Sequence, residues 1–154
     1  MNSRQRVVMA INHREPDRVP LDFGATGVTG IHARAYGPLR TALGLPPVEG
    51  RISDTMQQLA ALDEDLVERL AVDVRGVGRG AWDNLDIRKT PDASYYRDDF
   101  GITWKMPKDG WYFDMVDHPL VGDAVDEAIR RYRWPSFATM DFVAGVAESA
   151  RSTS

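Results

Sequence analysis

Cysteine is absent from all 154 residues. No disulfide can staple this chain, and no thiolate can serve it as nucleophile or metal ligand. Long apolar runs are missing too. A membrane-crossing helix takes about 18 apolar residues in a row, whereas the run Val7 to Ile11 is ended at once by Asn12-His13-Arg14. Preceded only by Met1-Asn2-Ser3-Arg4-Gln5-Arg6, that run is also too short for a signal peptide. The third absence is a basic block. The net charge is −4, and the densest cluster, Arg130, Arg131 and Arg133, is broken by Tyr132 and followed by Trp134-Pro135. Recognition of nucleic acid needs a basic face, so neither nucleic acid nor membrane is an expected partner. A cysteine-free chain without a leader fits the cytoplasm.

What is present is ordinary for a globular domain, at 43% hydrophobic and 27% charged residues. Ser3 offers an N-cap to Val7, Ala10 and Ile11, which predicts a short helix stopped by Pro16. Val19 to Phe23 then reads as a strand ended by Gly24, and the small residues Ala25 to Gly30 read as a loop. A second helix is expected over Ile31 to Leu43, with Gly44 behind it and Pro46-Pro47 beyond. Leu59, Leu62, Leu66 and Leu70 recur at three- and four-residue intervals, predicting a third helix, and Asp63, Glu64 and Asp65 suit an N-terminal turn. Val72 to Arg75 follows as a second strand. Strand, loop, helix, strand is the rhythm of a parallel sheet.

The rhythm then changes. Ile102, Trp104 and Met106 alternate with polar neighbours, as do Trp111, Phe113 and Met115, and Pro107-Lys108-Asp109-Gly110 lies between them. This pattern predicts a β-hairpin with one apolar face made by Trp104, Trp111 and Phe113. Two helices are expected after it, capped by Asp123 and Thr139, and residues 151–154 are expected to fray.

Several stretches resemble one family. Ser3 to His13 followed by Glu15-Pro16-Asp17-Arg18-Val19-Pro20 is similar to the opening of uroporphyrinogen-decarboxylase-like proteins. Leu70-Ala71-Val72-Asp73-Val74-Arg75 looks like that family's second barrel strand. Tyr96-Arg97-Asp98-Asp99-Phe100-Gly101-Ile102-Thr103-Trp104 resembles a hairpin of one branch, and Arg131 to Pro135 resembles its continuation. The resemblance implies an α/β fold, the N-terminal part of a (β/α)8 TIM barrel with an inserted antiparallel β-hairpin. Residues 1–150 would form this partial domain. Such barrels take about 250 residues and build their sites from several strand ends. A piece with two barrel-type strands is therefore expected to be inactive alone, and to self-associate through exposed edges.

The family implies two chemistries. Uroporphyrinogen decarboxylases hold a polycarboxylate tetrapyrrole with arginines, without a cofactor. Their arginine-rich loop corresponds here to Gly24-Ala25-Thr26-Gly27-Val28-Thr29-Gly30, which has no arginine, and the stretch matching their catalytic aspartate falls near Arg79-Gly80, with Asp83 the nearest acid. The other branch resembles methyltransferases that use zinc and a corrinoid partner protein, with His and Cys ligands in the later barrel. No cofactor or metal is expected within this chain itself. Asp22, Gly24 and Arg75 fall at strand ends and are the candidate contacts to a small-molecule substrate; no catalytic residue is assigned. Asp22 could equally cap the following loop, and Arg75 could equally pair with an acid. His32 and Arg34 read as solvated helix residues, while His13 and His118 have no partner at metal-ligand spacing. Gly76, Gly78 and Gly80 open no recognisable helix, so a phosphate cradle is rejected.

Overall fold

The computed structural model describes residues 1–77, 85–122 and 125–135. Its first helix, α1 (Ser3–Ile11), starts one residue earlier than Ser3 would place it. Asn2 is the N-cap, and Asn2 and Gln5 form a reciprocal capping box. Helix α2 covers Ala33–Ala42 and is capped by the His32 side chain, which accepts from the Arg34 amide at 3.1 Å.

The leucine repeat reads correctly for burial and incorrectly for helix. Leu66 is fully buried, and Leu62 and Leu70 pack on the same cluster with Tyr36 and Ala60. Only Glu64–Arg69 is helical (α3), with Glu64 and Asp65 in its first turn. Upstream, Gln58 turns the chain at φ 54°, and Leu59–Ala60 forms strand β2 against β1 (Ile52–Asp54). The other edge of β2 is taken by the segment before α2: the Ala60 amide donates to Ile31 O, and the Ala33 amide donates to Gln58 O. A backbone already bonded on both sides has no amides left for a helical turn.

Helices α1, α2 and α3 end alike. The residue after each C-cap (His13, Gly44, Ala71) is left-handed at φ 54°, 71° and 52°. The amides that follow reach back five residues: Arg14 to Met9 O, Leu45 to Arg40 O and Val72 to Val67 O. This is the Schellman closure, which satisfies carbonyls the helix leaves open.

The second sheet is antiparallel, in the order β3 (Arg88–Lys89), β4 (Ala93–Arg97), β5 (Thr103–Pro107), β6 (Asp114–Asp117). The expected hairpin is its β5–β6 pair, with Trp104 opposite Met115 and a register shift between Thr103 and Trp104. Its second strand begins at Asp114, later than the alternation suggests, because the Phe113 amide is used elsewhere: it donates to Met56 O in the β1–β2 turn at 2.8 Å. That bond ties the two sheets together. Phe113 is buried and meets Tyr96 edge-on at 4.9 Å, whereas Trp111 is half exposed. A short helix α4 (Val125–Arg131) follows; its expected cap Asp123 and the expected helix from Thr139 lie outside the described residues.

The architecture is thus mixed α/β with antiparallel sheets, and the described residues close no barrel. The two expected barrel strands, Val19–Phe23 and Val72–Arg75, are not strands. Pro20 has no amide to donate. The neighbouring Leu21 amide is taken at 2.9 Å by the Asp73 carboxylate rather than by a backbone carbonyl, so a ladder cannot propagate. One backbone bond survives, from the Asp73 amide to Leu21 O at 2.8 Å.

Candidate functional site

The two failed strands still lie side by side. Arg18 donates to Ala71 O, Leu21 pairs with Asp73, and Gly76 sits against Ala25 so closely that a Cβ would come 2.5 Å from Ala25 O. Residues 18, 21 and 25 thus meet 71, 73 and 76 in the same order, so the segments run in the same direction. Their far ends bring together the neighbourhoods of Asp22, Gly24 and Arg75.

Each of these three residues has a local duty. One carboxylate oxygen of Asp22 accepts from the Ala25 amide and from the Thr29 hydroxyl, both at 3.2 Å, and so closes the Ala25–Gly30 loop. Gly24 is left-handed at φ 84°, and a Cβ there would lie 2.4 Å from Leu62 Cδ1. Only glycine satisfies both the backbone and the packing. Arg75 donates to Val72 O at 3.0 Å and forms an ion pair with Glu64 at 2.6 Å, with about a third of its side chain exposed.

Beneath them is a charge cluster that the sequence did not single out. The Asp73 side chain is fully buried. It accepts from the Leu21 amide, from Arg6 at 2.5 Å and from both Nη atoms of Arg18 at 2.7 and 3.0 Å. Burial alone would raise this carboxyl, but the Leu21 amide with the Ser3, Arg6 and Arg18 side chains holds it well below the usual carboxylate range. Arg6 also donates to both oxygens of Asp17, at 2.6 and 2.9 Å. That hydrogen bond, partly opposed by burial, lowers Asp17 to about 2. The only hint in the sequence is that Asp73 interrupts the apolar run Ala71 to Val74. A second cluster pins α2 to α3: buried Arg40 makes a bidentate pair with Asp65, both bonds at 2.7 Å. The Tyr36 hydroxyl accepts from the Asp63 amide at 2.8 Å and donates to the Asp63 carboxylate at 2.7 Å.

Of His32 and Arg34, both expected to be solvated, Arg34 is exposed and His32 half-buried, and both also contact the hairpin loop. His32 Nε2 lies 2.9 Å from Trp111 O while Nδ1 accepts from the Arg34 amide, an arrangement satisfied by the tautomer with its proton on Nε2. Arg34 donates to Gly110 O at 2.9 Å and lies 4.6 Å above the Trp111 ring.

Among the described residues no group of three His, Asp or Glu side chains could hold a metal ion. No described helix is long and apolar enough to cross a membrane. Gly78, Gly80, Arg79 and Asp83 lie outside the described residues. Compared with protein-family models, curated proteins and solved structures, the chain matches none.

Proposed function

We propose that this chain supplies the first two strand segments of a uroporphyrinogen-decarboxylase-type barrel enzyme, with Asp22, Gly24 and Arg75 on its substrate side. One observation carries the reading: residues 18–25 and 71–76 run side by side in the same direction across an intervening helix-containing stretch. Antiparallel partners can be joined by tight turns, whereas a same-direction pair needs a long crossover, which is the βαβ unit. Barrel enzymes place chemistry at the C-terminal ends of such strands, and in a completed barrel Asp22, Gly24 and Arg75 would stand at those ends. The buried Asp73 cluster would fix the register of the pair, and the Glu64–Arg75 ion pair would aim a guanidinium at an anionic substrate.

The experiment is to extend the reading frame past Ser154 and assay the longer product for carbon dioxide release from uroporphyrinogen. A continuation of βα units without His and Cys ligands, together with turnover, supports decarboxylation. A continuation that carries those ligands favours corrinoid-linked methyl transfer to a thiol. A stop at Ser154 with no activity leaves a non-catalytic module and overturns the enzyme reading. In an active product, Arg75→Gln should raise KM roughly tenfold, the loss of one charge-assisted contact. If Arg75→Gln leaves KM unchanged, Arg75 serves its ion pair with Glu64 and not the substrate.

A further inference from the structure

The motif that broke up the basic cluster, Tyr132 among Arg131 and Arg133, returns in the fold as part of a cleft. Between the β4–β5 connection and α4 lies an open space of about 440 Å³, walled on one side by Arg97 and on the other by Arg131 and Arg133. A second space of about 270 Å³ adjoins it and is almost wholly apolar, with Ile102, Met115 and Trp134 among its walls. Phe100, Pro119 and Tyr132 line both, so the two form one groove with a cationic end and an aromatic end. The groove is held in shape. The Tyr132 hydroxyl donates to Phe100 O at 2.6 Å, the Trp134 ring meets Tyr132 edge-on at 4.7 Å, and Arg97 Nε donates to Gly101 O at 3.0 Å.

We propose that this groove binds a small amphipathic anion, an aromatic body carrying a carboxylate or phosphate group. The charge balance points to an anion: three guanidinium groups line the cationic end against the single carboxylate of Asp99. Arg131 also pairs with Glu127 on its own helix, but both side chains are more than half exposed, so the pair is easily exchanged for a ligand. The apolar end points to a ring. Trp134 is 63% exposed and Met115 is 52% exposed, and a flat apolar body would cover both. Spaces of this size with an apolar wall and a few convergent charges suit small ligands. None of these residues belongs to the strand-end site, so the proposal stands or falls apart from the barrel reading.

Calorimetric titration of the full chain tests it with four probes: 2-naphthoate, 2-naphthyl phosphate, the neutral 2-naphthalenemethanol, and inorganic phosphate. At least one ring-bearing anion should bind at one per chain, with the tighter of the two identifying the head group. The alcohol and inorganic phosphate should bind roughly tenfold or more weakly, each lacking one half of the recognition. The exposed pair Arg131→Gln and Arg133→Gln, and separately Trp134→Ala, should each weaken the anion by a similar factor. Arg51→Gln, at a surface arginine just before β1, should not. Equal binding of the alcohol or of inorganic phosphate overturns the proposal. So does undiminished affinity in the arginine or tryptophan variants, with an unchanged circular dichroism spectrum, or no saturable binding by either ring-bearing anion.

Discussion

Ala71 occupies a position that favours glycine. At φ 52° its Cβ crowds the backbone, yet its amide closes α3 by donating to Glu68 O and its carbonyl accepts from Arg18. Gly44 closes α2 in the same conformation at no such cost. Ala71→Gly should therefore stabilise the chain by about 1 kcal/mol, the relief of left-handed strain outweighing the added freedom of the unfolded chain. A urea titration of the two proteins checks this; a lower midpoint for the glycine variant would show that Ala71 packs more usefully than its backbone suggests. The left-handed glycine of α2 was legible because Gly44 stands before Pro46-Pro47. The left-handed residues that close α1 and α3 were not, because His13 and Ala71 carry no such signature. At the candidate site the sequence offered Asp22, Gly24 and Arg75 by position alone; the bonds of Asp22 to Thr29 and of Arg75 to Glu64, and the approach of Leu62 to Gly24, depend on residues brought in by the fold.

Among the elements, the four-stranded sheet rests on Phe113 more than on its tryptophans. Phe113 is 3% exposed and meets Tyr96, while Trp111 is 51% exposed and contacted by Arg34 and His32. Phe113→Ala should cost about 3–5 kcal/mol as a core truncation. Trp111→Ala should cost nearer about 1 kcal/mol, the scale of an exposed cation–π contact. Denaturant midpoints with a common slope decide between them, and equal losses would mean that Trp111 is the true anchor. Tyr96 adds a signature of its own. Burial, helped by the charges of Asp98 and Asp54, pushes its hydroxyl up to about 12. The folded state thus favours the neutral phenol, and stability should fall as pH rises from about 10 towards 12. Absorbance titration should show one of the five tyrosines ionising late. The alternation in 102–106 made β5 legible. The start of β6 was hidden because Phe113 spends its amide on the other sheet.

For the whole molecule, acid should be the sharpest perturbant. Asp73 lies below its ordinary value, Asp65 does so through Arg40, and Asp17 is at about 2. Since these folded-state values are depressed, the unfolded chain binds more protons. The contribution is complete above about pH 4 and is lost as pH falls through 2. Urea midpoints should be level from pH 7 to pH 5 and then drop. Asp73→Asn should be weaker at pH 7 and show a shallower acid decline; a parallel curve would mean that Asp73 contributes no proton linkage. The barrel reading adds its own expectations. The 154-residue chain should neither decarboxylate uroporphyrinogen nor transfer methyl groups, and turnover above a heat-killed control would contradict this. After dialysis against a weak chelator it should retain less than one equivalent of zinc. Val19 and Val28 are 83% and 92% exposed, so light scattering should show self-association that grows with concentration.

By itself the sequence determined what repeats or local chemistry dictates: the apolar leucine stripe, the alternating β5, the end of α2 at Gly44, and the acidic first turn of α3. Each follows from side-chain spacing or from a cap within a few residues. Only the tertiary structure decided whether 19–23 and 72–75 would be strands. Extended residues become a ladder only when backbone amides find backbone carbonyls, and Asp73, brought 52 residues along the chain to Leu21, took that amide with its side chain. The same holds for Leu59, turned from helix to strand by Ile31, and for His32 and Arg34, held against Trp111. Long-range partners, absent from any local window, decided these residues.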